Sequence, residues 1–419
     1  MKKEFDRRKF LQSLFAATMS GVAASCTKQL EKIEPLLHVP PGQSLARFPE
    51  KTELILLTDR PPQLETPLFY FREDLTPNEA FFVRWHLAGI PTEVDLNTFR
   101  LNLGGHVDKP LSLSVDELKK NFEPARVVAV VQCSGNSRRY FNPPVPGGQW
   151  QNGALGNAAW TGVRLKDLLA AAGVKKGAVQ ISVSGLDEAP LSNMPKFVKA
   201  LDIEHALSDD VLVAYEMNDA PLPMLNGFPL RLVVPGYFAT YWVKSLNEIN
   251  VLPSKFAGFW MDKSYRIPKN PFAEEEPHNL AKDTIPINKL NLRSLFVRPD
   301  PSDIVKAGQD FQVEGIAFDD GSGIKKIEVA IMTAESAAMQ SLDSSQSTRG
   351  EWKPATLQEN KLGKYSWSRW RLSWRPEKAG DYVIKVRASN ANETQTETQH
   401  WNKSGYMRNV IESVTVRVV

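Results

Sequence analysis

Cysteine is almost missing: the chain has two thiols, Cys26 and Cys133, in 419 residues. A framework of disulfides is therefore excluded as the basis of the fold. No C-x-x-C-H run occurs either, so the chain cannot carry a c-type haem. An excess of charge is also lacking, since 51 Lys and Arg stand against 48 Asp and Glu for a formal net charge of +3. That near-neutrality gives no support to nucleic-acid binding, although local basic pockets remain allowed. Long apolar runs are absent as well; the stretch from Leu14 to Ala24 is too short to span a bilayer. What is present, 42% hydrophobic and 24% charged residues, is the composition of a soluble globular protein. At this length two domains plus extras are expected.

The most informative stretch is VVAVVQCSGNSRRYF, from Val127 to Phe141. Its dense β-branched and small apolar residues read as a buried strand. The run stops at Cys133, Ser134, Gly135 and Asn136, a cluster of turn-type residues, and Arg138 and Arg139 follow. A single soft sulfur thus ends a strand inside a loop rich in donors and positive charge. That arrangement suits a metal held beside an anion, while a small buried hydrophobe is the plainer reading of a lone cysteine.

The run Q-C-S-G-N-x-R-R resembles the cysteine loop of the sulfite oxidase family of molybdenum enzymes, usually C-A-G-N-R-R. The resemblance implies that the Cys133 thiolate binds molybdenum directly, with Ser134 and Asn136 beside the cofactor and Arg138 at the substrate anion. It extends along the chain. Phe82, Val83, Arg84, Trp85 and His86 match the family's F-x-x-R-N-H with Trp85 in place of Asn; Phe82 and His86 are implied at the pterin and Arg84 at both pterin and anion. Without the family, Arg84 and His86 read as an aromatic strand end satisfied by carbonyls. Trp150 to Trp160 resembles W-x-x-G-A-I-x-x-A-x-W, whose first Trp walls the substrate pocket. Gly185, Leu186 and Asp187 match a pterin-binding G-x-D, and Asp187 reads equally well as a turn residue.

The segment from Val211 to Pro223 is close to A-Y-E-M-N-G-x-P-L-P. It leads to Asn226, Gly227, Phe228, Pro229, Leu230 and Arg231, where relatives have His-Gly-Phe-Pro-x-Arg. Asn226 can donate a hydrogen bond to the cofactor but cannot take up a proton. In Gly236 to Lys244 the family's Ala-Arg has become Thr240-Tyr241, leaving Tyr241, Lys244 and Arg231 as the implied phosphate and pterin contacts. Tyr265 in Y-R-I-P matches a family tyrosine beside the metal. In Trp401 to Tyr406, Ser404 stands where an anion-binding arginine is usual, with Lys403 and Arg408 as alternative stand-ins.

Periodicity supplies the rest. Leu101, Leu103 and Val107 mark a half-buried strand. Ser114 with Glu117 is a capping box before a helix from Val115 to Asn121. VRLKDLLAAA predicts a helix from Val163 to Ala172, stopped by Gly173. Strands are expected over Val179 to Ser184 and Arg231 to Pro235. Beyond about Leu290, short alternating runs at Phe311 and Val313, Ile327 to Ile331, Tyr382 to Val386 and Val414 to Val418 argue for a β-sandwich.

The expected fold class is α+β: a mixed α/β molybdopterin-binding domain of the sulfite oxidase type, then an immunoglobulin-like β-sandwich of the dimerisation type. The expected limits are a signal peptide over 1–26, a Pro-rich arm over 27–75, the catalytic domain over 76–268, an acidic linker over 269–289 and the sandwich over 290–419. Asp6 to Leu11 resembles the twin-arginine export signal, which implies delivery to the periplasm already folded around a cofactor. Cys26 follows Ala23, Ala24 and Ser25 and is either removed or made a lipid anchor. Cys133 is then left without a disulfide partner.

The resemblance implies molybdenum and molybdopterin as cofactors, sulfite as substrate and sulfate as product. With no haem in the chain, electrons pass to a separate periplasmic cytochrome c or cytochrome subunit. The chain pairs with itself or with such a subunit, or acts alone. The alternatives are an S-oxide reductase with the same cofactor, against which the C-terminal sandwich and Tyr265 speak, and a non-catalytic binding lipoprotein.

Overall fold

A computed structural model describes residues 44–300, 302–342 and 351–419. The export signal and Cys26 lie outside the described residues. Among the described residues no helix is long and apolar enough to cross a membrane.

Two five-stranded sheets organise the first lobe. In one the strand order is Val198–Asp202, Gln180–Gly185, Leu246–Leu252, Leu101–Gly105 and Leu111–Leu113, with only Leu246–Leu252 and Leu101–Gly105 parallel. The other runs Ala220–Pro221, Leu212–Met217, Leu155–Arg164 and Pro124–Gln132, with Arg231–Val233 also on Leu212–Met217. The long antiparallel ladder between Pro124–Gln132 and Leu155–Arg164 follows from the β-branched and small residues of both. Val128, Ala129, Val130 and Val131 are buried opposite Ala159, Ala158, Asn157 and Gly156. The capping box forms as expected: Ser114 Oγ accepts from the Glu117 backbone N–H at 3.1 Å, and the Glu117 carboxylate accepts from the Ser114 N–H at 2.8 Å.

Several expectations are corrected. The helix predicted from Val163 begins at Leu165, because Val163 and Arg164 are held in the ladder against Val213 and Leu212. The stretch expected to be an arm folds, from Ser44 on, into Ser44–Arg47, Glu53–Asp59 and Pro62–Glu65 of a four-stranded sheet. Its last strand, Val83–Arg84, carries a candidate site residue. The prolines at 61 and 62 mark a turn and a strand start rather than a break. The expected linker contains a strand too: Thr284–Pro286 pairs with Arg266–Pro268.

The second lobe is a sandwich of two four-stranded sheets. One is Arg293–Arg298, Phe311–Phe318, Ser368–Trp374 and Thr356–Leu357; the other is Lys353–Pro354, Lys326–Thr333, Gly380–Ser389 and Glu412–Val418. Val313, Ile327, Val329, Trp370, Ile384 and Val386 fill the space between them. The first lobe's core does not stop at the lobe boundary. Leu295, Val297, Ile316, Phe318 and Tyr406 belong to the same continuous cluster as Val130, Trp150 and Trp160.

Candidate active site

Strand ends from three sheets meet at one place. Cys133 follows the edge strand Pro124–Gln132, and Arg84 closes the four-stranded sheet. In the mixed sheet Leu246 is paired with Gly185, a register that brings Lys244 and Asp187 side by side.

Two pockets share a wall here. The deeper one is lined by Phe82, Arg84, His86, Cys133, Ser134, Asn226, Arg231, Ala239, Thr240, Lys244 and Tyr265. The outer one, about 550 Å³, includes Arg84, Cys133, Arg138, Trp150, Lys403, Tyr265 and Tyr406. Arg84, Cys133 and Tyr265 line both, so the thiol stands between a polar inner chamber and a cation-lined outer one.

The cysteine loop is held by its backbone. The Cys133 N–H donates to Ala154 O at 2.9 Å, the Asn136 N–H to Cys133 O at 3.0 Å and the Arg139 N–H to Trp150 O at 3.0 Å. Cys133 is a free cysteine and buried. Arg138 donates from Nε to Ser404 O at 3.0 Å and from Nη1 to Gly148 O at 3.2 Å, with the Tyr406 ring 5.3 Å from its guanidinium carbon. A Cβ at Gly135, Gly147 or Gly405 would come within 2.8 Å of this side chain, so three glycines make its slot.

His86 stacks on Phe197 with centroids 3.7 Å apart, and its Nε2 lies 2.6 Å from Tyr265 Oη. Burial, with Arg84, Lys244 and Lys199 nearby, holds the imidazole well below its usual pKa and keeps it neutral. Burial likewise pushes the Tyr265 hydroxyl up, so it stays protonated. Tyr265 has φ 57°, in the left-handed region uncommon for a bulky side chain, and its carbonyl accepts from the Ile287 N–H at 2.9 Å.

Lys244 donates to Arg84 O at 2.7 Å and lies over the Trp85 ring at 4.6 Å, so Trp85, in the position where Asn is usual, forms the floor under this cation. Burial lowers the Lys244 pKa well below its ordinary value and raises that of Asp187. Arg231 is pushed down to about 9 by burial, against the Trp160 and Trp242 rings.

Three sequence expectations differ in detail. Asn136 is not on either wall; its Oδ1 accepts from the Ala154 N–H at 3.0 Å, which fixes the loop. Asp187 does not line the inner pocket; it acts electrostatically on Lys244, which does. Tyr241 is buried beside Tyr237 and Lys199, and it is the neighbouring Thr240 and Ala239 that face the chamber. Of the two stand-ins for the arginine missing at Ser404, Lys403 lines the outer pocket, whereas Arg408 is bonded to Glu412 and stacked on Tyr140.

Two lysines escaped the sequence reading. Lys51 donates to Asn78 O at 2.7 Å, to Phe81 O at 3.2 Å and to Asn226 Oδ1, and burial lowers it to about 7. Because Lys51 takes the oxygen of Asn226 and Phe82 O accepts from its nitrogen at 3.2 Å, the amide orientation is fixed. Lys199 is fully buried, donates to Trp260 O at 2.7 Å and lies between the Tyr241 and Tyr265 rings. The period-2 alternation of Phe197, Lys199 and Leu201, all inward, was the available signal.

Among the described residues no group of three or more His, Cys, Asp or Glu could hold a metal. A metal at Cys133 therefore needs ligands from a cofactor. The inner chamber fits a polar, anionic one. Ser134 Oγ, Arg231 Nε and Thr240 Oγ1, all on its lining residues, are buried with no hydrogen-bond partner in the protein. Each such atom costs about 1–3 kcal/mol unless a ligand satisfies it.

The family model for the oxidoreductase molybdopterin binding domain matches residues 87–260, and that for the Mo-co oxidoreductase dimerisation domain matches residues 284–419. The chain is 32% identical to sulfite oxidase of Gallus gallus over 375 residues, covering 86% of this chain and 77% of that protein. It is 30% identical to mitochondrial sulfite oxidase of Mus musculus over 378 residues, covering 86% of this chain but 63% of that relative's length. With the NADH nitrate reductase of Hordeum vulgare it shares 28% identity over 414 residues, 93% of this chain and 44% of that one. The sulfane dehydrogenase SoxCD from Paracoccus pantotrophus has the same fold, with a TM-score of 0.70 at 20% identity over 89% of this chain and 88% of that chain. An inner chamber built for a polar cofactor, a single thiol at its rim and these matches along both lobes lead to one conclusion: the chain belongs to the sulfite oxidase family of molybdenum enzymes, whose cofactor is Mo-molybdopterin.

Proposed function

We propose that the protein oxidises sulfite to sulfate and passes the electrons singly to a separate haem protein. The observation that carries this reading is the shared wall of Arg84, Cys133 and Tyr265 between the inner and outer pockets. Phe82, His86, Ser134, Asn226, Arg231, Thr240 and Lys244 would hold the pterin and its phosphate, and Cys133 the metal. When bound, the molybdenum cofactor supplies the oxygen transfer and accepts the electron pair.

The chain's own residues attract and orient the anion. One arginine about 4 Å from a unit negative charge contributes roughly 4 kcal/mol at an effective dielectric of about 20, before desolvation subtracts its part. Arg84 and Arg138 face the outer pocket together, Lys403 adds a cation at its rim, and Trp150 gives a rigid wall. Tyr265, protonated and bonded to neutral His86, offers a hydroxyl beside Cys133. In the net reaction sulfite gains one oxygen from water and releases two protons and two electrons. The twin-arginine segment at Arg7 and Arg8 supports an exported, periplasmic enzyme, and a periplasmic c-type cytochrome is then the fitting acceptor.

The test is one holoenzyme sample assayed in both directions. Sulfite-dependent reduction of a c-type cytochrome, with about one molybdenum per chain, is the expected result. Sulfoxide-dependent dye oxidation without any sulfite oxidation would overturn the reading.

A further inference from the structure

The cysteine loop is braced from an unexpected side. Arg293 opens the first strand of the β-sandwich, and its side chain is 1% exposed. Its Nη2 donates to Glu412 Oε1 at 3.0 Å, Glu412 being the first residue of the sandwich's last strand. The same nitrogen lies 3.1 Å from Ser137 Oγ and 3.4 Å from Asn152 Oδ1, and Ser137 Oγ itself donates to Asn152 Oδ1 at 2.6 Å. Arg408 binds the same Oε1 of Glu412, so two guanidinium groups hold this carboxylate.

Ser137 is well placed to transmit this hold. It lies between Asn136, which anchors the loop to Ala154, and Arg138, which faces the outer pocket. Its φ of 71° is in the left-handed region, so the backbone there adopts an uncommon conformation that its surroundings must maintain. The Ser137 N–H donates to Gln151 O at 2.6 Å, tying the loop to the segment that carries Trp150.

We propose that the buried Arg293–Glu412 pair is a positioning element of the active site: through Ser137 it sets where the Cys133 thiolate and the Arg138 guanidinium stand. The C-terminal lobe then completes the site as well as serving any pairing of chains. This rests on the reading above for the substrate, but not for the loop. A charge-assisted bond to a buried arginine has a strict geometry, and a displacement of about 1 Å at an anion site is enough to weaken binding strongly.

The experiment uses molybdenum-loaded Ser137→Ala, Arg293→Lys and Glu412→Gln. Three readouts are taken: the visible absorption of the oxidised holoenzyme, which reports the thiolate–metal bond, the affinity for inorganic sulfate, and kcat and KM separately. Ser137→Ala is expected to shift the absorption band and to weaken sulfate binding and raise KM about tenfold, with kcat changed less than about threefold. Arg293→Lys keeps the charge opposite Glu412 without the planar fork and is expected to fall between wild type and Ser137→Ala. A lowered melting temperature with unchanged spectrum and sulfate affinity would reduce the pair to packing and overturn the proposal. Should Arg293 variants not fold, Ser137→Ala, which removes one hydroxyl, decides alone. Spectrum and sulfate affinity do not depend on turnover, so failure of this proposal is separable from failure of the sulfite reading.

Discussion

At the residue scale, the site depends on a few side chains whose surroundings fix their protonation. Cys133→Ser is expected to lower sulfite turnover by at least about a hundredfold, checked by stopped assay on a variant of known molybdenum content. Lys199 gives a pH prediction. Burial lowers its folded pKa to about 7, while the unfolded lysine keeps the ordinary 10.5. Between those values the unfolded chain binds more protons, so stability from this residue rises as pH increases from about 7 to about 10.5. Urea unfolding at pH 7 and pH 9 is expected to show a smaller gain for Lys199→Met than for wild type. Cys133, Arg84, Arg138, His86 and Tyr265 were legible in the sequence because each stands in a short local motif. Lys51 was not, because its three acceptors come from Asn78, Phe81 and Asn226, and nothing near position 51 announces them.

At the scale of elements, the cysteine loop, the slot around Arg138 and the helix caps carry the structure. Gly135→Ala puts a Cβ 2.7 Å from the Arg138 guanidinium. Because that side chain is also confined by Gly147 and Gly405, it is expected to be displaced, with sulfate affinity reduced and the melting temperature little changed. Ser114→Ala removes a capping box far from the pocket and is expected to cost about 1 kcal/mol in denaturant unfolding with no effect on kcat. The capped helix and the buried strand into Cys133 were readable because caps and apolar runs are local signals. The strands from Ser44 to Glu65 were hidden by their prolines, and the start of the helix at Leu165 was obscured because Val163 fits either element until its ladder partner is known.

At the scale of the whole molecule, the two lobes share one continuous apolar cluster and the buried Arg293–Glu412 pair at their junction. A single calorimetric transition is therefore expected; two well-separated peaks would contradict a common core. The sandwich is legible in its alternating strands, whereas its first strand, Arg293–Arg298, is not, because the buried Arg293 interrupts the apolar face continued by Leu295 and Val297. Arg293 reaches Ser137 and Asn152 in the other lobe, a partner invisible in the local pattern, while Ser294 on the opposite face bonds Gln395 within the sandwich.

The strand Arg266–Pro268 leaves Tyr265 at once and is zipped to Thr284–Pro286, on the path into the second lobe. Loosening this ribbon would therefore be felt first at Tyr265, whose hydroxyl is bonded to His86. The register of a two-stranded ribbon on the way to the sandwich thus fixes where the Tyr265 hydroxyl stands in the pocket wall.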